Sequence, residues 1–301
     1  GTTSFPPWKL IGVGTFILLL AAVVVALWYK KIGLSYEGWK NIHRINYGVF
    51  ALAFLHSIFL GSDFAGTTPL RIYWYILGVL FLLIIAHHIV KAIILRKNPY
   101  EVTRVVQETH DTWSLYFKGQ PIIYNPGQFM IVNLIREGTV SEAHPFTISS
   151  GPGRAEISIT PKAVGDFTST IKDTKPGDKA LINAPFGMFS FVHYDADRYV
   201  FIAGGIGITP FMSMFRYMLD NQIGKQVLLL WGNKTEADIP FSDELEKMQK
   251  AISGFEYVHV LSAQQEWAGE KGFITKEILE KYIEAFEGTE FFLCGPPAMM
   301  K

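Results

Sequence analysis

The chain has 301 residues, with 27 Lys and Arg against 27 Asp and Glu and a single cysteine. That length accommodates two or three domains. The zero net charge excludes the basic footprint of a nucleic-acid-binding protein, and the lone Cys294 excludes an internal disulfide framework.

Hydrophobic residues make up 49% of the chain and raise its mean hydropathy to +0.22; the excess sits in the first third. Three segments there approach the roughly 20 apolar residues that cross a bilayer: Leu10–Trp28, Ile45–Ser62 and Ile72–Val90. Residues 1–97 are therefore expected to form three membrane spans. Lys30, Lys31, Lys40 and Arg44 between the first two spans, with Lys91, Arg96 and Lys97 after the third, outnumber Lys9 and Arg71 on the other side. This bias places everything after Lys97 in the cytoplasm. Trp8, Trp28, Tyr73, Trp74 and Tyr75 stand near span ends, where interfacial aromatics collect.

His43 and His56 flank the second span. An ionisable side chain in a membrane marks a functional site by default, and a neutral imidazole can ligate haem iron. Thirteen residues apart, the two would lie about 20 Å apart along one helix, a spacing that suits one haem near each face and equally suits two hydrogen-bonded interfacial histidines. His87 and His88, adjacent on the third span, point to different faces and read as interfacial.

After Pro99 the pattern changes to short alternating runs separated by Gly, Pro, Asn and Asp: 102–106, 113–117, 129–134, 156–160 and 179–183. They predict a small antiparallel β-barrel over 98–195. The string PGQF (Pro126–Phe129) precedes HPFT (His144–Thr147). A flavin needs a flat apolar surface, a hydrogen-bond donor beside its ring and a partner for its pyrophosphate. Phe146 offers the surface, Thr147 a hydroxyl and His144 a donor; an ordinary strand end with a buried Phe would look the same. In VGDFTSTI (Val164–Ile171), Gly165 permits a tight turn and Asp166 or Thr168 can cap a short helix, whose free N–H groups suit phosphate.

From 196 strands alternate with helices: strands at 199–203, 226–231, 255–261 and 290–294, helices at 209–219, 242–251 and 275–285. This predicts a parallel, doubly wound α/β domain. GGIGITP (Gly204–Pro210) occupies the first strand-to-helix turn. Its glycines would let the backbone approach a pyrophosphate, and Pro210 suits a first helical turn, although the string is not the GxGxxG fingerprint. Cys294, in CGPP (Cys294–Pro297), ends the fourth strand at the ligand edge of such a sheet; it would line a nicotinamide pocket or serve as a buried structural thiol. In WGNKTEADIPF, Glu236 or Asp238 suits ribose hydroxyls and Lys234 a ribose phosphate. The loop has no Arg, which favours NADH over NADPH. The chain opens on Gly1 and stops just after CGPPAMM, so it is expected to be a piece of a longer protein with an incomplete nicotinamide domain.

In this order, HPFT with VGDFTSTI, GGIGITP with CGPP, and YEGWKNIHR (Tyr36–Arg44) followed by His56 resemble the ferric reductase and NADPH oxidase superfamily of transmembrane flavocytochromes, most closely the short prokaryotic NADPH oxidase type. The resemblance implies a ferredoxin reductase-like FAD and nicotinamide unit behind membrane helices four to six of that family. It implies FAD at His144, Pro145, Phe146, Thr147, Gly165, Asp166, Phe167 and Thr168. It implies NAD(P)H at Gly204, Gly205, Gly207, Thr209, Pro210, Cys294, Gly295 and Pro296, with Thr147 and Cys294 nearest the chemistry. His43 and His56 would each give one axial ligand to a haem b, two haems in the parent protein, with partner histidines outside this chain. Electrons would run from cytoplasmic NAD(P)H through FAD and haem to an external acceptor, either dioxygen or a ferric chelate; the absence of a metal-binding cluster in Gly61–Arg71 favours dioxygen. Lipid and that small acceptor are then the expected partners of an integral membrane protein. A haem-free, membrane-anchored flavin reductase serving a protein partner is the alternative, and a non-catalytic membrane scaffold the third reading.

Overall fold

The computed structural model describes residues 7–29, 31–34, 36–60, 67–283 and 286–300. It divides into two compact units, Gly1–Lys91 and Ala92–Lys301. Lys30, the Trp8 side chain and the 61–66 part of the external loop lie outside the described residues.

The first unit is helical: α1 (Pro7–Trp28), α2 (Tyr36–His43), α3 (Asn46–Leu60) and the start of α4 (Thr68–Lys97). Among the described residues, two helices, Lys9–Trp28 and Thr68–Lys97, are long and apolar enough to cross a membrane by length and composition. The middle span expected over Ile45–Ser62 appears as a 15-residue helix, about 23 Å long at 1.5 Å per residue. His43 and His56 do not share a continuous helix. Ile45 N–H turns back to the Ile42 carbonyl at 2.9 Å and Tyr47 N–H to Arg44 at 3.1 Å, so a two-residue turn interrupts the helix between α2 and α3. α3 packs on its neighbours through glycine notches. The His56 ring fills the space a Cβ would need at Gly12 of α1, and the Phe54 ring that at Gly78 of α4, the close approach that small residues permit between apolar helices. Trp74 Nε1 donates to Ser57 Oγ at 2.7 Å.

The second unit holds two sheets. In the first, β1 (Tyr100–Thr109), β2 (Thr112–Lys118), β3 (Phe129–Arg136), β4 (Thr139–Val140), β5 (His144–Thr147), β6 (Ile157–Ile159) and β7 (Lys179–Phe186) run antiparallel in the order β4-β3-β7-β1-β2-β6, with β5 on β3. An Ile148↔Ile159 bridge joins the end of β5 to β6, which closes the ring and leaves no long open edge. Alternation explains the interior: Met130, Val132 and Leu134 of β3 are buried, as are Val102, Leu115, Phe117 and Ile159.

The second sheet is parallel, in the order β11-β10-β9-β8-β12. Its strands are β8 (Arg198–Gly204), β9 (Gln226–Asn233), β10 (Phe255–Leu261), β11 (Glu270–Lys271) and β12 (Thr289–Cys294). It carries α6 (Thr209–Asp220), α7 (Ser242–Ala251) and α8 (Lys276–Tyr282); the four-residue α5 (Asp166–Ser169) belongs to the barrel. β11 was not expected: a two-residue strand has no period to read. The chain leaves β8 toward β9 on one side and returns as β12 on the other, so the order reverses between β8 and β12, where open α/β sheets bind ligands.

Candidate functional site

Ala203 of β8 is paired with Cys294 of β12, so GGIGITP and CGPP meet at that switch point. The contact is close. A Cβ at Gly207 would lie 2.2 Å from the Cys294 carbonyl oxygen, and one at Gly204 would lie 2.6 Å from Pro296 Cδ and 2.7 Å from Met299 Sδ. Close packing by itself requires glycine at both positions: at Gly207 against the backbone of Cys294, and at Gly204 against the side chains of Pro296 and Met299. Only Gly205, at φ +52 with nothing within 4 Å, keeps open space where a Cβ would stand. Trp231, fully buried, donates from Nε1 to the Gly205 carbonyl at 2.9 Å and fixes the turn; its sequence context gave no hint of that role. Thr209 Oγ1 donates back to the Ile206 carbonyl, and Pro210 occupies the first turn of α6, where no N–H is lost.

Burial pushes the Cys294 thiol above its ordinary pKa, so it is held as SH, a small polarisable wall rather than a nucleophile. Because it is the one cysteine in the chain, alkylation by iodoacetamide reports on it alone. The expected result at pH 8 is modification slower than that of free cysteine, slowed further by NADH. Modification as fast as that of free cysteine would refute the partly buried wall.

Asp238 already has partners within the protein. It accepts from Thr235 N–H at 3.0 Å and Thr235 Oγ1 at 2.7 Å, and Lys162 and His110 face its other oxygen. Glu236 is exposed, and its backbone N–H donates to Gln264 Oε1 at 2.8 Å. Lys234 is also exposed.

On the barrel, HPFT is itself a strand, paired with β3 from Phe129↔Thr147 to Val132↔His144. His144 and Phe146 share a face, Pro145 and Thr147 the other, so Phe146 and Thr147 do not present one continuous surface. The His144 ring stacks on Phe167 at 3.9 Å between centroids and 12° between planes, with Phe146 6.2 Å from Phe167. This pair clamps the strand to the VGDFTSTI turn, about twenty residues on. At that turn Gly165, not Asp166, is the N-cap residue, and no side chain caps the helix start. Thr168 Oγ1 instead accepts from Gly165 N–H at 2.9 Å, a half capping box. The aromatic cluster beside an uncapped helix start fits a flavin and its phosphates. His43 and His56 fit iron less well. His43 stacks on Trp39 and its Nδ1 meets Asn46 Nδ2 at 3.2 Å, while His56 is pressed into the Gly12 notch.

Residues 97–179 match the FAD-binding domain family, and residues 201–301 match the oxidoreductase NAD-binding domain family. The chain is an oxidoreductase with an FAD-binding and an NAD-binding domain. This oxidoreductase is 33% identical over 208 residues to the glycine betaine monooxygenase reductase subunit of Pseudomonas aeruginosa strain UCBPP-PA14, covering 65% of this chain and 56% of that protein. It is 33% identical over 160 residues to NADH-cytochrome b5 reductase 1 of Debaryomyces hansenii, covering 52% of this chain and 56% of that one. The oxidoreductase chain thus spans little more than half the length of these curated relatives. Its fold matches the FAD/NAD-binding domain of a nitric oxide dioxygenase from Vibrio cholerae O1 biovar El Tor, with a TM-score of 0.60 at 20% identity over 67% of this chain and 89% of that one. The ferredoxin reductase-like architecture is the one the motifs implied.

The two sheets of the oxidoreductase are joined by a buried polar seam that the sequence did not disclose. Arg216 of α6, 3% exposed, donates to the Ser149 carbonyl at 2.6 Å and pairs with Glu244 at 2.8 and 2.5 Å. Ser213 Oγ and Tyr124 OH both donate to the Ser150 carbonyl, at 2.6 and 3.0 Å, and burial pushes the Tyr124 phenol up to about 12. A cavity of about 280 Å³ opens along this seam. Each of its arginines already faces a carboxylate: Arg104 meets Glu156, Arg154 meets Asp220, and Arg216 meets Glu244. It is a poor anion site for that reason.

Proposed function

We propose that this chain is the reductase of an NAD(P)H-dependent electron-transfer system, anchored by its apolar helices and serving a redox protein partner. The observation that carries this reading is the joining, in one compact unit, of an aromatic-lined barrel strand to a sheet whose switch point is built from GGIGITP and CGPP. The chemistry FAD supplies when bound is to take a hydride from reduced nicotinamide, leaving NAD(P)+, with a solvent proton, and to release the two electrons singly. The protein's part is to place His144, Phe146 and Phe167 against the flavin, the turn at Gly205 against the dinucleotide, and Cys294 as the wall behind the nicotinamide. Glu236 as the exposed acid favours NADH. The relation to a monooxygenase reductase subunit and to a cytochrome b5 reductase supports a protein acceptor. The charge bias around α1 and α4 supports a cytoplasmic reductase on an integral membrane anchor.

The second reading is the transmembrane haem route to dioxygen or ferric iron. It is favoured by two helices of spanning length beside the YEGWKNIHR motif. It draws no support from the placement of His43 and His56, and it requires ligands from outside these residues.

Purified full chain in detergent should retain FAD absorbance, bleach on addition of NADH under argon, and reduce two ferricyanide ions per NADH. A folded protein that binds no FAD, or whose flavin is not bleached, would refute the proposal. A haem Soret band that persists through purification would shift the assignment to the second reading.

A further inference from the structure

We infer that Arg216 is a positioning residue for hydride transfer: through Ser149 it sets how closely the nicotinamide turn approaches the flavin strand. The inference rests on the flavin and nicotinamide reading above and concerns residues that neither motif contains. Helix α6 begins at the GGIGITP turn, and Ser213, Arg216 and Asp220 follow at spacings of three and four residues, which places them on one helix face. All three bind one short segment of the barrel. Ser213 Oγ reaches the Ser150 carbonyl at 2.6 Å, Arg216 reaches the Ser149 carbonyl at 2.6 Å, and Asp220 accepts from Arg154 at 2.6 and 2.9 Å. That segment starts two residues after Thr147, so the flavin strand and the nicotinamide helix are tied side by side along about two turns.

The middle tie is the rigid one. The Arg154–Asp220 pair is about one-third exposed on both sides, where an ion pair holds weakly. Arg216 is buried and hydrogen-bonded at three nitrogens. Its guanidinium fork fixes two directions at once, toward Ser149 and toward Glu244. The Phe241 ring lies over it at 4.9 Å, and Phe241 holds a left-handed backbone at φ +63. A bulky residue pays strain there, which indicates that surrounding contacts over-determine the lid on the arginine. Ser149 is anchored on its other side as well: its N–H donates to the Ser158 carbonyl at 2.8 Å and its hydroxyl meets Ser158 Oγ at 2.9 Å. Displacement of Arg216 would therefore move the strand end and not a loose loop. Hydride transfer is sensitive to such shifts, since a misplacement of about 1 Å costs on the order of 100-fold.

The test compares Arg216→Lys, Ser213→Ala and the core control Met248→Ala in the full chain. FAD content, melting temperature, the rate of flavin reduction by NADH in stopped flow and the long-wavelength nicotinamide–flavin charge-transfer band are measured for each. Lysine keeps the charge but not the fork. Arg216→Lys is expected to keep FAD, slow reduction at saturating NADH by on the order of 10- to 100-fold, and weaken the charge-transfer band. Ser213→Ala, a smaller change that spares the fold if Arg216→Lys does not, should slow reduction about 5-fold, the equivalent of one lost hydrogen bond. Met248→Ala should lower the melting temperature with the rate per bound flavin unchanged. The inference is overturned if the seam variants reduce at the wild-type rate with an unaltered band, or if Met248→Ala slows reduction equally. Loss of FAD binding or of NADH reduction in the wild type would instead refute the underlying flavin reading.

Discussion

Gly207→Ala is expected to abolish most NADH-driven reduction while leaving flavin bound. The added methyl would lie 2.2 Å from the Cys294 carbonyl oxygen and 2.7 Å from its carbon. Those are backbone atoms in a paired strand and cannot rotate away. Relief requires β12 to move from the turn, at a cost of about 1–3 kcal/mol for overpacking and with a shift of the nicotinamide wall that lowers the rate by on the order of 100-fold. FAD should remain, because the barrel has its own core around Val102, Phe117 and Met130, separate from the core of the parallel sheet. Gly205→Ala is the informative contrast. Its Cβ meets nothing within 4 Å, so the fold loses only the roughly 1 kcal/mol of a left-handed alanine. The methyl would project into open space at the turn where the dinucleotide is expected, so KM for NADH should rise with little change in melting temperature. Steady-state kinetics and thermal melts on both variants decide the matter. A Gly207→Ala protein as stable and as fast as the wild type would mean the two motifs are not in contact.

That contrast shows what the sequence carries and what it cannot. A glycine-rich turn between a strand and a helix is legible, because strand period, turn residues and helix period are local. For the same reason α7 and β10 lie where the pattern places them, 242–251 and 255–261. Which glycine serves a ligand and which serves packing is decided by a strand about ninety residues further on, and no local signal reports it. The motif gives all three glycines one reading, whereas packing against the β12 end demands glycine at Gly204 and Gly207 and not at Gly205. Asp238 and Glu236 look alike in the sequence, but Asp238 has partners in Thr235, three residues earlier, and in Lys162 on the barrel.

Arg216 was illegible for a different reason. It stands in FMSMFRYMLD, where an arginine on an amphipathic helix ordinarily faces water. The signal available was the company it keeps: Phe211, Met212, Met214, Phe215 and Met218 are all buried, which leaves that helix little exposed surface. Its partner Glu244 is 28 residues away and resembles any first-turn acid. In the apolar third, composition revealed the helices but not the turn between α2 and α3, since Arg44 and Ile45 are neither Gly nor Pro. The stretch from Tyr36 to Leu60 therefore divides into α2 and α3, with His43 at the end of one and His56 within the other.

The aromatic clamp on the barrel gives the second large effect. His144→Ala with Phe167→Ala is expected to release FAD without unfolding the chain. The stacked pair, 3.9 Å between centroids, contributes about 0.5–1.5 kcal/mol beyond its burial. Both residues are only partly buried, so the fold should tolerate their loss. The ligand should not. The pair is what ties the HPFT strand to the helix start at Gly165, and a flavin whose ring and phosphates bind those two pieces needs both held together. Each piece remaining separately competent would leave a residual affinity weaker by on the order of 100-fold, the loss expected when two subsites are uncoupled. Flavin fluorescence titration of the double variant, with a melt on the same sample, tests this. Retention of FAD at wild-type affinity would show that the ligand does not bridge the two pieces. A collapse in melting temperature by itself, with FAD still bound at low temperature, would make the clamp a part of the barrel core rather than of its site.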